Sequence, residues 1–355
     1  MYPLLKLAGK IAQSNVAELQ VPYRMTYALT YRCQLTCTMC GIWKRPPSEE
    51  LTLEQITDFF RSSGRLFSWI NLSGGEIFIR KDLLGIMQAI DASCRNLYLL
   101  NFPTNGYETD LITETVRQIT RSFRFPRVLV TVSLDGDREL HDRIRGVPGA
   151  WDRAVETYTR LRRMRSSRFD VYLGMTLQSS NVYAFDDTVK AVQERISDIR
   201  FRDFHVNIAH VSKHYYGNEE HRSVAESQSL LSQLRRIEAL RDAASMNPVQ
   251  FLEKRYQGLA ATFLRTSRTP LPCQALAASF FMDPSGTVYP CTIYGTPIGN
   301  IRDSDYRLLQ LWNSGQRPAV RQEIRAGNCP QCWTPCEAYQ SILARMIPFR
   351  TRSKS

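Results

Sequence analysis

Several features are scarce or missing in this sequence, and each absence narrows what the protein can be. No apolar run approaches the ~20 residues that cross a bilayer as a helix. The N-terminal stretch MYPLLKLAGKIAQSN has no small-residue cleavage site of a signal peptide. We find no internal repeat and no low-complexity tract. We therefore expect an ordinary globular protein that stays in the cytoplasm, where thiols remain reduced.

Acidic residues are also in the minority, with 34 of them against 46 basic residues and a net charge of +12. A positive surface attracts nucleic acid, anionic lipid or an acidic protein. Because the chain has no motif typical of RNA- or DNA-binding domains, we expect no nucleic-acid partner.

Cysteine, in contrast, is plentiful, and eight of the nine cysteines fall into two groups. The stretch YALTYRCQLTCTMCGIW places Cys33, Cys37 and Cys40 close together, with no fourth cysteine and no histidine nearby. Thiolates are soft ligands that suit zinc or iron–sulfur clusters. A structural zinc site has four protein ligands, whereas three cysteines hold three corners of a four-iron cluster and leave one iron to a non-protein ligand.

The chain from Arg24 to about His210 alternates strand-like and helix-like segments, which predicts an α/β fold with a parallel sheet. The predicted strands are Met25–Thr30, Ser68–Gly74, Asn96–Phe102, Arg127–Leu134, Asp170–Leu177 and Asp203–His210. One predicted helix begins after Thr52, its N-cap, and ends at Gly64. Four more are predicted over Lys81–Ser93, Asp110–Ser122, Ala150–Met164 and Phe185–Ile196. The sheet is either a partial barrel or doubly wound, and both place the reactive centre at the C-terminal ends of the strands.

A smaller, cysteine-rich part is predicted after a helical connector. Cys273 and Cys291 flank a predicted β-hairpin with its turn at Pro284–Gly286, and CPQCWTPC adds Cys329, Cys332 and Cys336. Distant cysteine pairs that converge on one site are how metals stabilise small domains. From the residues alone, a zinc knuckle and an iron–sulfur site both stay open.

The C-x3-C-x2-C spacing of the first group resembles the signature of the radical S-adenosylmethionine (radical SAM) superfamily. The resemblance implies a partial (β/α)6 TIM-like barrel, with SAM chelating the open iron of a [4Fe-4S] cluster held by Cys33, Cys37 and Cys40. It also implies SAM contacts at the successive strand ends SGGEIF, PTNG and SLDG and in HDRIRG. The candidates are Met39, Gly74, Gly75, Glu76, Thr104, Asn105, Ser133 and Arg145. For Glu76, the expected partner is the amino group of SAM.

The second group resembles the SPASM and Twitch auxiliary-cluster domains. Five cysteines rather than seven imply one auxiliary [4Fe-4S] cluster, with Cys273, Cys291, Cys329 and Cys332 as ligands. Three alternatives stay open for Cys336: it replaces Cys332, serves a second incomplete cluster, or is free. The implied organisation is an N-terminal extension (1–23), the barrel (24–222), a helical connector (223–268), the auxiliary domain (269–340) and a basic tail (341–355).

The resemblance implies an enzyme that cleaves SAM to a 5′-deoxyadenosyl radical and abstracts hydrogen from a peptide, natural-product or lipid precursor, with oxidation, cross-linking or epimerisation as the outcome. In the sulfatase-maturing branch of the family, an Asp that serves as general base directly follows the hairpin cysteine. Thr292 stands at that position here, so formylglycine formation is disfavoured. No acid–base residue is assigned, although His210, His214 and His221 are candidates. The implied electron donor is an acidic flavodoxin or ferredoxin.

Two further alternatives are kept. The first is a non-catalytic barrel in which zinc fills both cysteine groups and which binds a partner. The second concerns PLLKLAGKIA, in which Leu4, Leu5, Ala8, Ile11 and Ala12 share one helical face. This helix either packs against the barrel or rests on a membrane surface at the inner face.

Overall fold

The computed structural model describes residues 2–220, 226–241, 248–313 and 315–346. Six parallel strands form its centre, as predicted from the sequence. They are β1 (Arg24–Thr30), β2 (Trp69–Gly74), β3 (Leu99–Thr104), β4 (Arg127–Ser133), β5 (Phe169–Leu177) and β6 (Phe204–Ile208). Each pairs with the next in parallel register. This is the arrangement of a partial TIM-like barrel.

Three C-terminal strands extend the same sheet rather than forming a separate one. They are β7 (Ser279–Met282), β8 (Thr287–Tyr289) and β9 (Gly299–Asn300). Strand β7 is parallel to β1, with Arg24 opposite Ser279, and the full order is β6-β5-β4-β3-β2-β1-β7-β8-β9. Strands β7 and β8 form the predicted antiparallel hairpin around Pro284–Gly286. The cysteine-rich part therefore begins on the open edge of the barrel.

Helices cover the barrel and the C-terminal strands. They are α1 (Tyr2–Val16), α2 (Leu53–Ser63), α3 (Leu83–Ser93), α4 (Thr109–Ser122), α5 (Arg138–Arg145), α6 (Ala150–Arg162), α7 (Phe185–Gln193), α8 (Ser227–Ala239), α9 (Pro248–Thr266), α10 (Leu308–Trp312), α11 (Gln316–Ala326) and α12 (Pro335–Leu343). Helix α5 was not predicted, because its eight residues are mostly charged and only His141, Ile144 and Arg145 are buried.

The ends of α2 are those predicted from the sequence. The Thr52 side chain accepts from the Gln55 N–H, and the Gln55 side chain accepts from the Thr52 N–H. This capping box pairs the N–H groups of both residues. Gly64 ends the helix. Behind α2, the Phe67 ring lies 6.0 Å from that of Phe280, which joins the barrel core to the C-terminal part.

The predicted connector corresponds to α8 and α9, although residues 223–225 and 242–247 of it lie outside the described residues. Helix α12 continues past the predicted domain end at residue 340, to Leu343. Residues 347–355 of the predicted basic tail are outside the described residues. The domain boundaries themselves stay predictions.

Helix α1 packs on the protein with part of its apolar surface. Leu7 is buried in a cluster with Leu19, Tyr23 and Ala278, and Asn15 Nδ2 donates to the Leu343 carbonyl of α12 at 2.7 Å. On the apolar face predicted from the sequence, Ile11 is partly buried against this cluster, whereas Leu4, Leu5, Ala8 and Ala12 stay exposed. The packing interpretation is supported for one side of the helix, and the membrane interpretation for the other side is untested. None of the described helices is both long and apolar enough to cross a bilayer.

Candidate active site

The loop after β1 brings Cys33, Cys37 and Cys40 to one cavity of about 350 Å³ at the C-terminal ends of the barrel strands. Neighbouring backbone fixes the loop: Thr38 N–H donates to the Ile144 carbonyl at 2.8 Å, and Gly41 N–H to the Tyr216 carbonyl at 2.7 Å. A Cβ on Gly41 would lie 2.1 Å from the Gly217 carbonyl oxygen, so only glycine fits this crossing.

Polar donors face the sulfurs of this loop. Asn105 Nδ2 lies 3.8 Å from Cys33 Sγ, and Arg145 Nη1 lies 3.8 Å from Cys37 Sγ. Burial raises the pKa of Cys33 to about 11 and that of Cys40 to about 12. Free thiols would therefore be protonated at neutral pH, and a bound metal would have to displace these protons. Three convergent thiols with N–H donors to sulfur fit an iron–sulfur cluster.

Arg145 is held by an aspartate that the sequence reasoning did not select. Its Nη2 lies 2.6 Å from Asp135 Oδ2, and Asp135 Oδ1 accepts from Thr176 N–H at 2.8 Å. Burial lowers the pKa of Arg145, but Asp135 and the Cys37 sulfur outweigh burial, so the pKa is raised overall. The acidic residue of SLDG, directly after a buried strand, was the available signal.

Glu76 is buried at the ends of β2 and β3. Its Oε2 accepts from Thr104 Oγ1 at 3.0 Å and from Asn105 N–H at 2.7 Å, and its Oε1 accepts from Phe78 N–H at 3.3 Å. Burial raises its pKa to about 7. Glu76 is not among the residues that line the cavity, and its side chain joins the ends of β2 and β3. Its contact with the amino group of SAM stays a prediction.

Gly74 and Gly75 do line the cavity. Gly74 has φ 128°, and an added Cβ at either glycine would lie 2.1 Å from a carbonyl oxygen, that of Thr30 or Arg32. The two glycines thus let the end of β2 pass directly beside the cysteine loop. The other predicted SAM-contacting residues, with the exception of Glu76, line the same cavity: Met39, Thr104, Asn105, Ser133 and Arg145.

The loop after β6 supplies residues that the sequence reasoning missed. The Tyr215 hydroxyl lies 2.6 Å from Ser73 Oγ and accepts from Gly74 N–H at 3.2 Å. Asn218 Nδ2 donates to the Met39 carbonyl at 3.1 Å. Within this loop the sequence pointed to the histidines as chemical groups. The contacts of Tyr215 and Asn218 form where the loop crosses segments distant in sequence, which no local pattern reveals.

The histidines of that loop have structural partners. His210 Nδ1 contacts the Ile208 carbonyl and its Nε2 accepts from Trp333 N–H at 3.1 Å. His214 Nε2 contacts the Cys291 carbonyl at 3.0 Å. Burial lowers both pKa values, that of His210 to about 4. His214 Nδ1 also lies 3.3 Å from Ser212 Oγ, so both nitrogens of each ring have partners. An acid–base role for either histidine stays a prediction, and His221 lies outside the described residues.

The second cysteine group divides four to one. Cys273, Cys291, Cys329 and Cys332 line a second, small cavity, whereas Cys336 lines the first. N–H groups donate to three of the four sulfurs: Tyr294 N–H to Cys291 at 3.2 Å, Ala275 N–H to Cys273 at 3.5 Å and Gln331 Nε2 to Cys329 at 3.3 Å. Such donors are usual around cluster thiolates, so this donor set fits an auxiliary cluster.

A zinc ion draws its ligands closer together than a four-iron cluster does. In the described part of the chain, no three His, Cys, Asp or Glu side chains are arranged to hold a single metal ion.

Comparison with known proteins agrees with this geometry. Residues 27–191 match the family model of the Radical SAM superfamily, and residues 273–336 match SPASM, an iron-sulfur cluster-binding domain. The subtilosin biosynthesis protein AlbA of Bacillus subtilis is 24% identical over 344 residues, which cover 90% of this chain and 68% of AlbA. The AdoMet-dependent heme synthase of Methanosarcina barkeri is 24% identical over 333 residues, which cover 89% of this chain and 90% of that protein.

The fold is also found among solved structures. Streptococcus suis SuiB bound to S-adenosylmethionine superposes with a TM-score of 0.59 at 16% sequence identity, covering 88% of this chain and 70% of SuiB. SAM and iron–sulfur clusters are the cofactors of these domains. The chain is therefore a radical SAM enzyme with a C-terminal iron–sulfur domain of the SPASM type.

Proposed function

We propose that this enzyme modifies a peptide precursor by SAM-dependent radical chemistry at the cavity between the cysteine loop and the barrel strands. The observation that carries the proposal is the convergence of Cys33, Cys37 and Cys40 with Gly74 and Arg145 on one cavity. AlbA is a bacteriocin biosynthesis protein, and SuiB has been solved with the precursor peptide SuiA. Both support a peptide as the substrate class.

Cys33, Cys37 and Cys40 would hold the SAM-binding cluster, and Cys273, Cys291, Cys329 and Cys332 would hold one auxiliary cluster. When bound, the first cluster supplies the electron that cleaves SAM to methionine and a 5′-deoxyadenosyl radical, which abstracts hydrogen from the substrate.

The residues of the chain orient SAM and exclude water. Asp135 fixes the Arg145 guanidinium beside Cys37, where a cation stabilises negative charge at the sulfurs or on a carboxylate. Gly74 and Gly75 give SAM access to backbone, and Glu76 keeps their strand end in place. Tyr215 lines the cavity and is hydrogen-bonded to Ser73 there.

The test is oxygen-free reconstitution with iron and sulfide, followed by SAM and dithionite. The enzyme is expected to form 5′-deoxyadenosine, and Cys37→Ala is expected to abolish it. Cys94→Ala is the matched control, because Cys94 is equally buried but lies outside both groups. A colourless protein with stoichiometric zinc and no SAM cleavage would support the non-catalytic zinc alternative instead.

Short peptides encoded beside the gene provide the substrate test. We expect one of them to change mass with formation of 5′-deoxyadenosine in the same reaction. A tetrapyrrole is the second candidate, because the heme synthase match spans 90% of that relative. Turnover of a porphyrin precursor with no reaction on any peptide would favour it.

The electron donor would be an acidic flavodoxin or ferredoxin, attracted by the net charge of +12. We expect SAM cleavage driven by such a donor to slow steeply as salt rises, whereas cleavage driven by dithionite should change little.

A further inference from the structure

A buried arginine lies at the far end of the cavity that holds the three cysteines. Arg24 opens β1, is only 3% exposed, and lines the same cavity as Cys33. Its Nη1 donates to Gln340 Oε1 at 2.8 Å, and its guanidinium lies 4.5 Å from the centre of the Trp69 ring. Its Nε is buried without a hydrogen-bond partner in the described residues, where the bond from Nη1 to Gln340 is the one hydrogen bond of the guanidinium. The Nε–Nη2 edge, which binds carboxylates in a bidentate manner, is thus buried and unpaired.

Arg24 differs from the other buried arginines in having no ion pair. Each of the other four, within the described residues, has a carboxylate in salt-bridge contact: Arg80 with Asp82, Arg145 with Asp135, Arg241 with Glu253 and Arg321 with Glu18. Glu337 acts electrostatically on Arg24, but it accepts its hydrogen bond from Ser279 and forms no ion pair with Arg24. Buried charges are rarely left unpaired, so an anion from outside the chain is expected.

A helix N-terminus faces the same region independently. Thr334, Pro335 and Cys336, at the start of α12, line the cavity. Thr334 is 3% exposed, its Oγ1 has no partner in the described part of the chain, and its side chain does not cap the helix. The N-terminal end of a helix carries a partial positive charge. Because Arg24 is bonded to Gln340, one turn further along α12, both positive groups flank the same space.

We propose that this end of the cavity is a carboxylate-binding subsite for the substrate, made by Arg24, Thr334 and the N-terminus of α12. The carboxylate is either the C-terminus of a peptide or an Asp or Glu side chain. The inference rests on the proposed peptide function, since it describes where the substrate of that same cavity is anchored.

The carboxylate of SAM is a poor candidate for this subsite. Arg24 and Thr30 are at opposite ends of β1, about 20 Å apart at the usual rise of a strand, and the cysteine loop follows Thr30. By family resemblance, SAM binds its carboxylate to the open iron at that loop. The group bound by Arg24 is therefore remote from the reacting C–H bond, and its role is to fix the register of the substrate.

The experiment uses the cluster-loaded enzyme with SAM and four capped tripeptides at fixed ionic strength. One pair is acetyl-Ala-Ala-Ala with a free C-terminus and its C-terminal amide. The other pair is acetyl-Ala-Glu-Ala amide and acetyl-Ala-Gln-Ala amide. In at least one pair, calorimetry should show the carboxylate peptide binding about tenfold or more tightly than its neutral partner, the usual value of a charge-assisted pair. The pair with the preference identifies the source of the carboxylate.

Arg24→Gln should abolish the preference, and Arg24→Lys should retain part of it. Arg138→Gln is the matched control, because Arg138 also lies over a tryptophan, Trp151 at 5.1 Å, but does not line the cavity. Equal binding within both pairs to the wild-type enzyme, or a preference that survives Arg24→Gln, would overturn the proposal. If the Arg24→Gln variant does not retain its clusters, the proposal is judged on the two peptide pairs measured with the wild-type enzyme and with Arg24→Lys.

SAM cleavage is measured on the same samples, which separates the two proposals. Formation of 5′-deoxyadenosine without any carboxylate preference would refute the subsite and leave the radical chemistry intact. Absence of 5′-deoxyadenosine would instead refute the proposed function.

Discussion

Asp135 shows how one residue controls the chemistry of another without facing the cavity itself. It is fully buried, and its charge keeps Arg145 in place beside Cys37. Removing one partner of a buried pair leaves the other charge without compensation, which is more costly than losing an exposed pair.

We therefore expect Asp135→Asn to destabilise the protein by about 3 kcal/mol and to weaken SAM binding. Asp110→Asn, which breaks the exposed pair with Arg160, is the control and should cost at most about 1 kcal/mol. Denaturant unfolding measures the stability and calorimetry measures SAM affinity. Equal stability losses in the two variants would contradict this account.

His210 makes a pH-dependent contribution that can be given a sign. Its pKa is lowered by burial to about 4, below the ordinary value near 6.5, so the unfolded chain binds the extra proton first as pH falls. The stability contributed by neutral His210 is complete above pH 6.5 and declines as pH falls toward 4.

Between pH 7 and pH 5.5, this decline amounts to about 1.2 kcal/mol. His210→Gln keeps an acceptor for the Trp333 N–H but cannot titrate. From pH 7 to pH 5.5, its free energy of unfolding should therefore fall less than that of wild type, by about the same amount. Unfolding of the cluster-loaded protein under oxygen-free conditions measures both slopes. Parallel slopes for wild type and variant would show that His210 is not the titrating group.

Helix α1 illustrates what a single element contributes. The apolar side chains of this helix divide between the protein and solvent, since Leu7 is buried while Leu5 is 61% exposed. Burial of a leucine stabilises a fold, whereas an exposed leucine contributes little.

Leu7→Ala is expected to destabilise the protein by about 2–3 kcal/mol, and Leu5→Ala should change stability by less than about 0.5 kcal/mol. Thermal unfolding compares them. Liposome flotation of Leu5→Asp then tests the membrane interpretation: flotation of wild type that is lost in Leu5→Asp supports it, and absence of flotation of wild type rejects it.

At the scale of the whole molecule, the two cysteine groups meet through one sheet. Strand β7 adds to the edge of β1, so the auxiliary site is attached to the strand that precedes the cysteine loop. Cys336 lines the cavity of Cys33, Cys37 and Cys40, whereas the four other auxiliary cysteines line the second, small cavity.

This separation predicts different iron contents for two neighbouring variants. Cys332→Ser is expected to lose the auxiliary cluster, and with it about four iron atoms per chain. Cys336→Ser should keep the iron content of wild type, since its sulfur lies in the other cavity. Iron and sulfide analysis after reconstitution measures both. Loss of iron in Cys336→Ser would place this residue among the ligands after all.

The sequence alone predicted the positions of the six barrel strands, the loop with three cysteines and the caps of α2, because these depend on neighbours a few residues apart. Periodicity and spacing are local quantities. Gly74, Thr104, Ser133 and Arg145 were named through the family resemblance, and the structure brings all four to one cavity at the C-terminal ends of the strands.

Only the tertiary structure decided which groups meet across the fold. It paired Asp135 with Arg145 and buried Glu76 between the ends of β2 and β3. It also gave His210 a backbone partner in the auxiliary region, and it left Arg24 without an ion pair near the start of α12. These contacts join segments distant in sequence, and their energies depend on burial and charge compensation, which no single stretch of residues encodes.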